Sequence, residues 1–329
     1  MSPLLLAADI GGTKANLALF RETPGGLVPV REGTVHSAGY ASAAALLGAF
    51  LGDDAGAVGA ACLGIAGPVR NGRAVTPNLP WAVAAAEIEA ALGLPAVTLV
   101  NDLVATALGI PELPPEAVAV LQEGKPDPAG NAALIAAGTG LGEAFLVRCD
   151  EELVPVASEG GHASFAPTSG PEVELLRFLT AELGAVSAER VVSGPGLRNV
   201  YRFLTAAGGF SESPRVRARM AAEDPPAVIS DESLRGTDET CARALDLWLH
   251  AYGAEAGNLA LKALATAGVY VGGGIAPKLL PKLREGSFLE GFRSKGRLSA
   301  LLGDIPVRVI LEPKAALYGA ARCAARRRT

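Results

Sequence analysis

One arrangement occurs twice in this chain and limits what it can fold into. An apolar run at residues 4–10 breaks at Gly11-Gly12-Thr13 and resumes at residues 16–20. A second apolar run at 132–136 breaks at Gly138-Thr139-Gly140 and resumes at 143–147. Short apolar runs separated by glycines read as strands joined by tight turns, and a turn without Cβ atoms lets backbone N–H groups lie against a ligand. Thr13 precedes Phe20 by seven residues, and Thr139 precedes Leu146 by the same seven. Two similar domains serving one nucleotide need such a turn in duplicate.

Around these turns strand and helix patterns alternate. Residues 58–65 and 97–100 read as strands, and residues 42–51 and 83–92 as helices, which makes the chain α/β with a largely covered sheet. The run 97–100 ends in Asn101 and Asp102, and such sheets place ligands at the carboxyl ends of their strands. Between residues 111 and 128 stand Pro111, Pro114, Pro115, Pro126 and Pro128, with room for one short strand at 117–121, so a domain boundary falls near the start of this stretch. Further on, Ser169-Gly-Pro-Glu172 reads as a capping box opening a helix that runs to residue 183. A long helix over 239–265 leads to a strand at 269–271 and to Gly272-Gly273-Gly274. The last strand, 307–311, and the helix after Pro313 read as returning to the first domain.

Composition narrows the function. The chain has 329 residues, half of them hydrophobic, and a net charge of −5 with Lys and Arg scattered, so it has material for large cores and no electrostatic footprint for nucleic acid. The Arg326-Arg327-Arg328 run reads as a complement to a helix end. Cys62, Cys149, Cys241 and Cys323 lie far apart without a CxxC pair, which points to free thiols, a reducing cytoplasmic setting and no zinc. No apolar run has the length of a membrane span.

Each candidate site has two local readings. Asp9-Ile-Gly-Gly-Thr-Lys14 is either an ordinary hairpin or a phosphate cradle whose Asp9 faces magnesium, and Ala137-Gly-Thr-Gly-Leu-Gly142 has the same ambiguity. Neither is a Walker A loop or a dinucleotide fingerprint. Gly272 to Gly274 either pack a helix closely or admit an adenosine group. Asp102 either accepts a hydroxyl proton, with Asn101 orienting the same sugar, or caps the helix after it. Glu159, His162 and Glu189 are either hydroxyl partners or a solvated histidine and a Glu189–Arg190 pair. Asn78 offers a further hydroxyl partner, while Trp81 reads as core.

Taken in order, Ala8-Asp-Ile-Gly-Gly-Thr13, Leu99-Val-Asn-Asp102, Ala137-Gly-Thr-Gly-Leu-Gly142, Glu159-Gly-Gly-His162, Ser187-Ala-Glu-Arg-Val-Val-Ser-Gly-Pro-Gly196 and Gly272-Gly-Gly-Ile275 resemble the bacterial glucokinase family of the hexokinase, actin and heat-shock ATPase superfamily. The resemblance implies a two-domain actin-like ATPase (ribonuclease H-like) α/β fold, with residues 1–112 plus 304–329 as the small domain and 113–303 as the large one, and a cleft between them for glucose and ATP. It implies transfer of the γ-phosphoryl group to the glucose 6-hydroxyl, with Asp102 as base. Asn78, Asn101, Asp102, Glu159, His162 and Glu189 are then the sugar ligands. Ala8, Asp9, Ile10, Gly11, Gly12 and Thr13, with Gly138, Thr139 and Gly140, hold the phosphates of Mg-ATP, and Gly272, Gly273 and Gly274 lie beside the adenosine. Zinc, haem and flavin have no place in it, and a cytoplasmic homodimer is the expected form.

One residue departs from the pattern. Lys14 stands where this family usually has Asn, as it does in a related group of repressors and sugar kinases. The cysteine-rich zinc motif and N-terminal helix-turn-helix of that group are absent from this sequence. Two other functions compete: a kinase for mannose, fructose or an amino sugar, and a non-catalytic actin-like nucleotide and sugar sensor. The Asn101-Asp102 pair and the Glu159, His162, Glu189 set argue against the sensor, since a nucleotide switch needs no ring of sugar ligands.

Overall fold

The computed structural model describes residues 3–76, 79 and 81–327, so Asn78 lies outside the described residues. The chain forms two compact units, one from Met1–Ala117 with Glu312–Thr329 and one from Val118–Leu311.

In the first unit, β1 (Leu4–Ile10), β2 (Lys14–Thr23), β3 (Gly26–His36), β4 (Val58–Ile65), the short β5 (Val69–Arg70), β6 (Arg73–Ala74) and β7 (Val83–Ala84), and β8 (Val97–Asn101) make two sheets. The larger has the order β3-β2-β1-β4-β8, antiparallel across β1 to β3 and parallel across β1, β4 and β8. β1 is apolar without interruption as far as Ala8 because both its faces are covered. Leu4, Leu6, Ala8 and Ile10 pack with Leu46, Leu47 and Ile88. Leu5 and Ala7 point the other way, onto Leu317, Ala320, Ala321 and Ala324 of the C-terminal helix Ala315–Arg327.

The second unit repeats this plan. β9 (Val118–Gln122), β10 (Ala132–Ala137), β11 (Leu141–Cys149), β12 (Glu152–Ser158), β13 (Gly268–Gly272) and β14 (Val307–Ile310) form one sheet in the order β12-β11-β10-β13-β14-β9. Here β10 to β12 are antiparallel to one another, β10, β13 and β14 run parallel, and β9 closes the edge antiparallel to β14. The two glycine-threonine turns therefore occupy the same place, between the first two strands of each meander. The long helix Glu239–Ala263 supplies the buried centre, with the tilted rings of Trp248 and Tyr252 5.2 Å apart between centroids. The expected capping box is present at Ser169 and Glu172, opening the helix Gly170–Leu183.

Residues 304–329 read from sequence as one block returning to the first unit, and only the helix does so. β14 pairs with β13 on one edge and β9 on the other, so its backbone hydrogen bonds are made within this sheet. The second unit thus extends to Leu311 rather than to residue 303.

Candidate active site

In the first unit the parallel strands bring two motifs to one edge of the sheet. Asp9 lies level with Gly64, and Ile65 with Asn101, so the turn after β1 and the start of the helix Asp102–Gly109 stand two strands apart at the carboxyl edge. The turn is held from below by Ser37, which is fully buried: its Oγ donates to the Gly11 carbonyl at 2.8 Å and its N–H to the Thr13 carbonyl at 3.1 Å. Thr13 and Lys14 are exposed. The Asp9 carboxylate accepts from Asn16 Nδ2 at 3.4 Å, and Asn16 Oδ1 accepts from Thr34 at 3.0 Å. Burial pushes the Asp9 carboxyl up, and the bond from Asn16 pulls it partly back. A desolvated carboxylate oxygen has the chemistry that suits a hard divalent ion such as the magnesium of Mg-ATP.

The capping question at Asn101-Asp102 resolves in favour of the asparagine. Asn101 is the N-cap: its Oδ1 accepts from Leu103 N–H at 2.9 Å and Val104 N–H at 3.4 Å, while its Nδ2 donates to the Gly67 carbonyl at 3.2 Å. Asp102 is the first residue inside the helix, half-buried, with Oδ1 2.9 Å from the Leu103 N–H. A carboxylate in that position is stabilised by the helix N-terminus, and it is not what ends the helix. Trp81 is core, as expected, with its indole N–H donating to the Tyr40 carbonyl at 2.8 Å.

In the second unit Glu159, His162 and Glu189 converge, although 27 residues separate His162 from Glu189 in sequence. His162 stands between the two carboxylates, Nε2 4.0 Å from Glu159 and Nδ1 3.9 Å from Glu189. A bridge between Ser164 and Ser187, extended by Phe165 N–H to Val186 and Ala188 N–H to Ala163, ties the loops that carry them. The expected alternative partner of Glu189, Arg190, makes no salt bridge with it among the described residues. Instead Glu189 Oε2 accepts from the Leu141 N–H at 2.9 Å, directly after the Gly138-Thr139-Gly140 turn. A Cβ on Gly140 would stand 2.5 Å from that oxygen, so the close approach needs glycine. The Glu159, His162 and Glu189 cluster is thereby joined to the strand that leaves the turn.

Gly272 lies level with Ala136, which puts Gly272 to Gly274 at the same sheet edge as the Gly138 turn. Gly273 has φ +83°, and a Cβ there would meet the Ala137 carbonyl oxygen at 2.4 Å, so this glycine answers to packing. Gly274 has open space beside it.

Three supporting residues escape a reading by motif. Ser37 opens a single 3-10 turn, Ser37–Gly39, and has no local signature. Tyr252 Oη accepts from the Ala137 N–H at 3.2 Å, and Trp248 Nε1 donates to the Ser193 carbonyl at 3.1 Å, so the long helix braces both the turn and the segment after Glu189. Both aromatics sit in a helix whose pattern announces only burial. Among the described residues, no group of three or more His, Cys, Asp or Glu is gathered to hold a metal ion, and no helix is long and apolar enough to cross a membrane.

Two units with matching sheets, each carrying a glycine-threonine turn at its carboxyl edge, form the actin-like ATPase fold, and the relatives that share it make the molecule a sugar kinase. The glucokinase family profile matches residues 6–327, and the chain belongs to the glucokinase family, enzymes that phosphorylate glucose. It is 40% identical to a glucokinase of Nostoc punctiforme over 98% of this chain and 99% of that one. A crystal structure of glucokinase from an Antarctic psychrotroph superposes with a TM-score of 0.86 at 32% identity, covering 99% of both chains. A glucokinase of Streptomyces griseus from the ROK family, solved in complex with glucose and AMPPNP, shares the fold at a TM-score of 0.65 and 24% identity, covering 98% of this chain and 99% of that one.

Proposed function

We propose that this member of the family transfers the γ-phosphoryl group of ATP to the 6-hydroxyl of glucose, giving glucose 6-phosphate and ADP. The observation that carries the proposal is the Glu159, His162 and Glu189 cluster joined to the Gly138 turn through the Leu141 N–H. Hydroxyls donate and accept, so two carboxylates and an imidazole can satisfy several at once, and an acceptor that lacks one of them leaves a partner in the cluster unmatched. Asn101 and Asn78 are further glucose ligands in this reading.

Asp102 orients the 6-hydroxyl and takes its proton as the oxygen attacks the γ-phosphorus. Its position at a helix start favours the ionised carboxylate that a base must be. Ala8 to Thr13 and Gly138 to Gly140 supply backbone N–H groups for the phosphates, while Gly272 to Gly274 leave room for adenosine. Asp9 is the residue that would meet the magnesium of Mg-ATP, whose charge offsets that of the phosphates. Phosphoryl transfer depends chiefly on alignment and charge stabilisation, which duplicated backbone cradles provide. The homodimer and the cytoplasmic setting rest on the family resemblance and on the dispersed cysteines.

Release of ADP with Mg-ATP across a panel of hexoses tests the reading. Glucose is expected to lead in kcat/KM. Another hexose ahead by about tenfold, roughly 1.4 kcal/mol of transition-state preference, would reassign the sugar, and no sugar-dependent ADP release would remove the kinase.

A further inference from the structure

The roles assigned so far leave Glu143 unused. It lies on β11 opposite Ile135 of β10 and Ser158 of β12, 2% exposed, and its Oε1 has no hydrogen-bond partner among the described residues. Its Oε2 stands 2.0 Å from the point a Cβ would occupy on Gly160, and Ser158 Oγ stands 3.1 Å from the same point. The Gly160 N–H donates to Ser158 Oγ at 2.9 Å. Gly160, the first residue of the turn Gly160–His162, is thus seated on a buried carboxyl group and a serine hydroxyl, and a side chain at this position would have to displace the Glu143 carboxyl or the turn.

Charged and titratable groups surround this seat on several sides. The helix Glu239–Ala263 brings Glu255, 6% exposed, together with Lys262 and the Tyr252 hydroxyl. Lys262 Nζ is 3.6 Å from Glu255, which also accepts from Asn258 at 2.9 Å. Lys295, whose Nζ donates to Asn258 Oδ1 and the Ala254 carbonyl, lies beyond them. On the turn side stand Glu159 and His162.

We propose that Glu143 is a positioning residue for the sugar-binding turn: its carboxyl group, buried against Gly160, sets where the turn presents Glu159 and His162 to the sugar. The inference rests on the reading of those two residues as glucose ligands. Burial, and then the charge of Glu255, push the Glu143 carboxyl up to about 7, with Lys262 pulling the other way. The neutral acid fits its place. The ionised form has a second carboxylate nearby and no donor on Oε1, so the turn must shift or admit water to relieve it. Glucose recognition therefore weakens as pH rises through this range, although Glu143 does not touch the sugar.

Steady-state kinetics between about pH 6 and 9 on the wild type, Glu143→Gln, Gly160→Ala and Gly160→Ala/Glu143→Ala test this. In the wild type the glucose KM should rise roughly threefold or more across the range, as linkage to a buried titration requires, with little change in the ATP KM. Glu143→Gln, a permanent mimic of the neutral acid, should lose that rise. Gly160→Ala should raise the glucose KM roughly tenfold by displacing the turn, and removing the carboxyl in the double variant should restore most of the loss. A wild-type pH profile in Glu143→Gln overturns the inference, as does a double variant whose defects simply add. Should Gly160→Ala not fold, the Glu143→Gln profile decides alone. Glu159→Gln and His162→Asn separate the layers: if neither changes the glucose KM, the sugar-ligand reading falls and takes this inference with it. If they raise it while Glu143→Gln keeps the wild-type profile, only the inference falls.

Discussion

Glu189 Oε2 and the backbone N–H of Leu141 are joined by a 2.9 Å hydrogen bond, which ties a proposed sugar ligand to the strand leaving the second glycine-threonine turn. The other carboxylate oxygen is the one turned to His162, so the two oxygens of one side chain serve two tasks.

This sharing makes sugar and nucleotide defects inseparable in some variants and separable in others. Glu189→Ala removes both functions and should raise the KM for glucose and for ATP, each by roughly tenfold or more, the value of a lost hydrogen bond to a charged group. Glu189→Gln keeps an acceptor for Leu141, so the ATP KM should stay near the wild-type value while the glucose KM rises. Gly140→Ala drives its Cβ into the carboxylate and should behave as Glu189→Ala does. Initial rates with each substrate varied in turn distinguish the three, and an unchanged ATP KM in Glu189→Ala would break the link.

Asn101 caps the helix after β8, and its neighbour Asp102 is the proposed base. Asp102→Asn leaves the cap in place and removes only a first-turn charge, about 0.3–1 kcal/mol of stability, yet kcat should fall by roughly 10²–10⁴ with glucose binding weakened far less. Asn101→Ala should instead lose about 1 kcal/mol of stability, because the Val104 N–H loses its side-chain acceptor, the Leu103 N–H keeps only Asp102, and the Gly67 carbonyl loses a donor. Thermal melts and turnover on the pair of variants give the comparison. Wild-type turnover in Asp102→Asn would exclude Asp102 as the base.

The buried pair of Glu172 and His250 gives stability a defined pH window. His250 Nδ1 lies 2.7 Å from Glu172, and this hydrogen bond raises the imidazole above its ordinary 6.5 despite burial. Burial alone would raise Glu172, but the bonds to His250 and Thr168 outweigh it and hold the carboxyl below its ordinary 4.5. The histidine contribution is complete below 6.5 and fades as pH rises through the raised value. The glutamate contribution is complete above 4.5 and fades as pH falls through the lowered one. His250→Gln should therefore cost most between those two values, about 1.5–3 kcal/mol, and less at pH 9. A melting-temperature difference that grows towards alkaline pH would contradict the assignment.

Much of this molecule is written in short stretches of chain. The strands at 4–10 and 58–65, the capping box at Ser169 and Glu172, and the duplicated turns follow from apolar period, glycine placement and local hydrogen-bonding chemistry, all of which act within a few residues. The motifs in their order also carry the family. Contacts between distant segments do not have this property. Whether Asn101 or Asp102 caps the helix depended on which side chain could also reach Gly67 from the end of β8. The place of β14 depended on which sheet offered it two edges. Glu189 met Leu141, and Glu143 met Gly160, only when strands and turns far apart in sequence were laid side by side. Local periodicity decides which faces of an element are buried. The neighbour that each buried polar atom meets is set by register and packing across the whole fold, and there the tertiary structure alone decided.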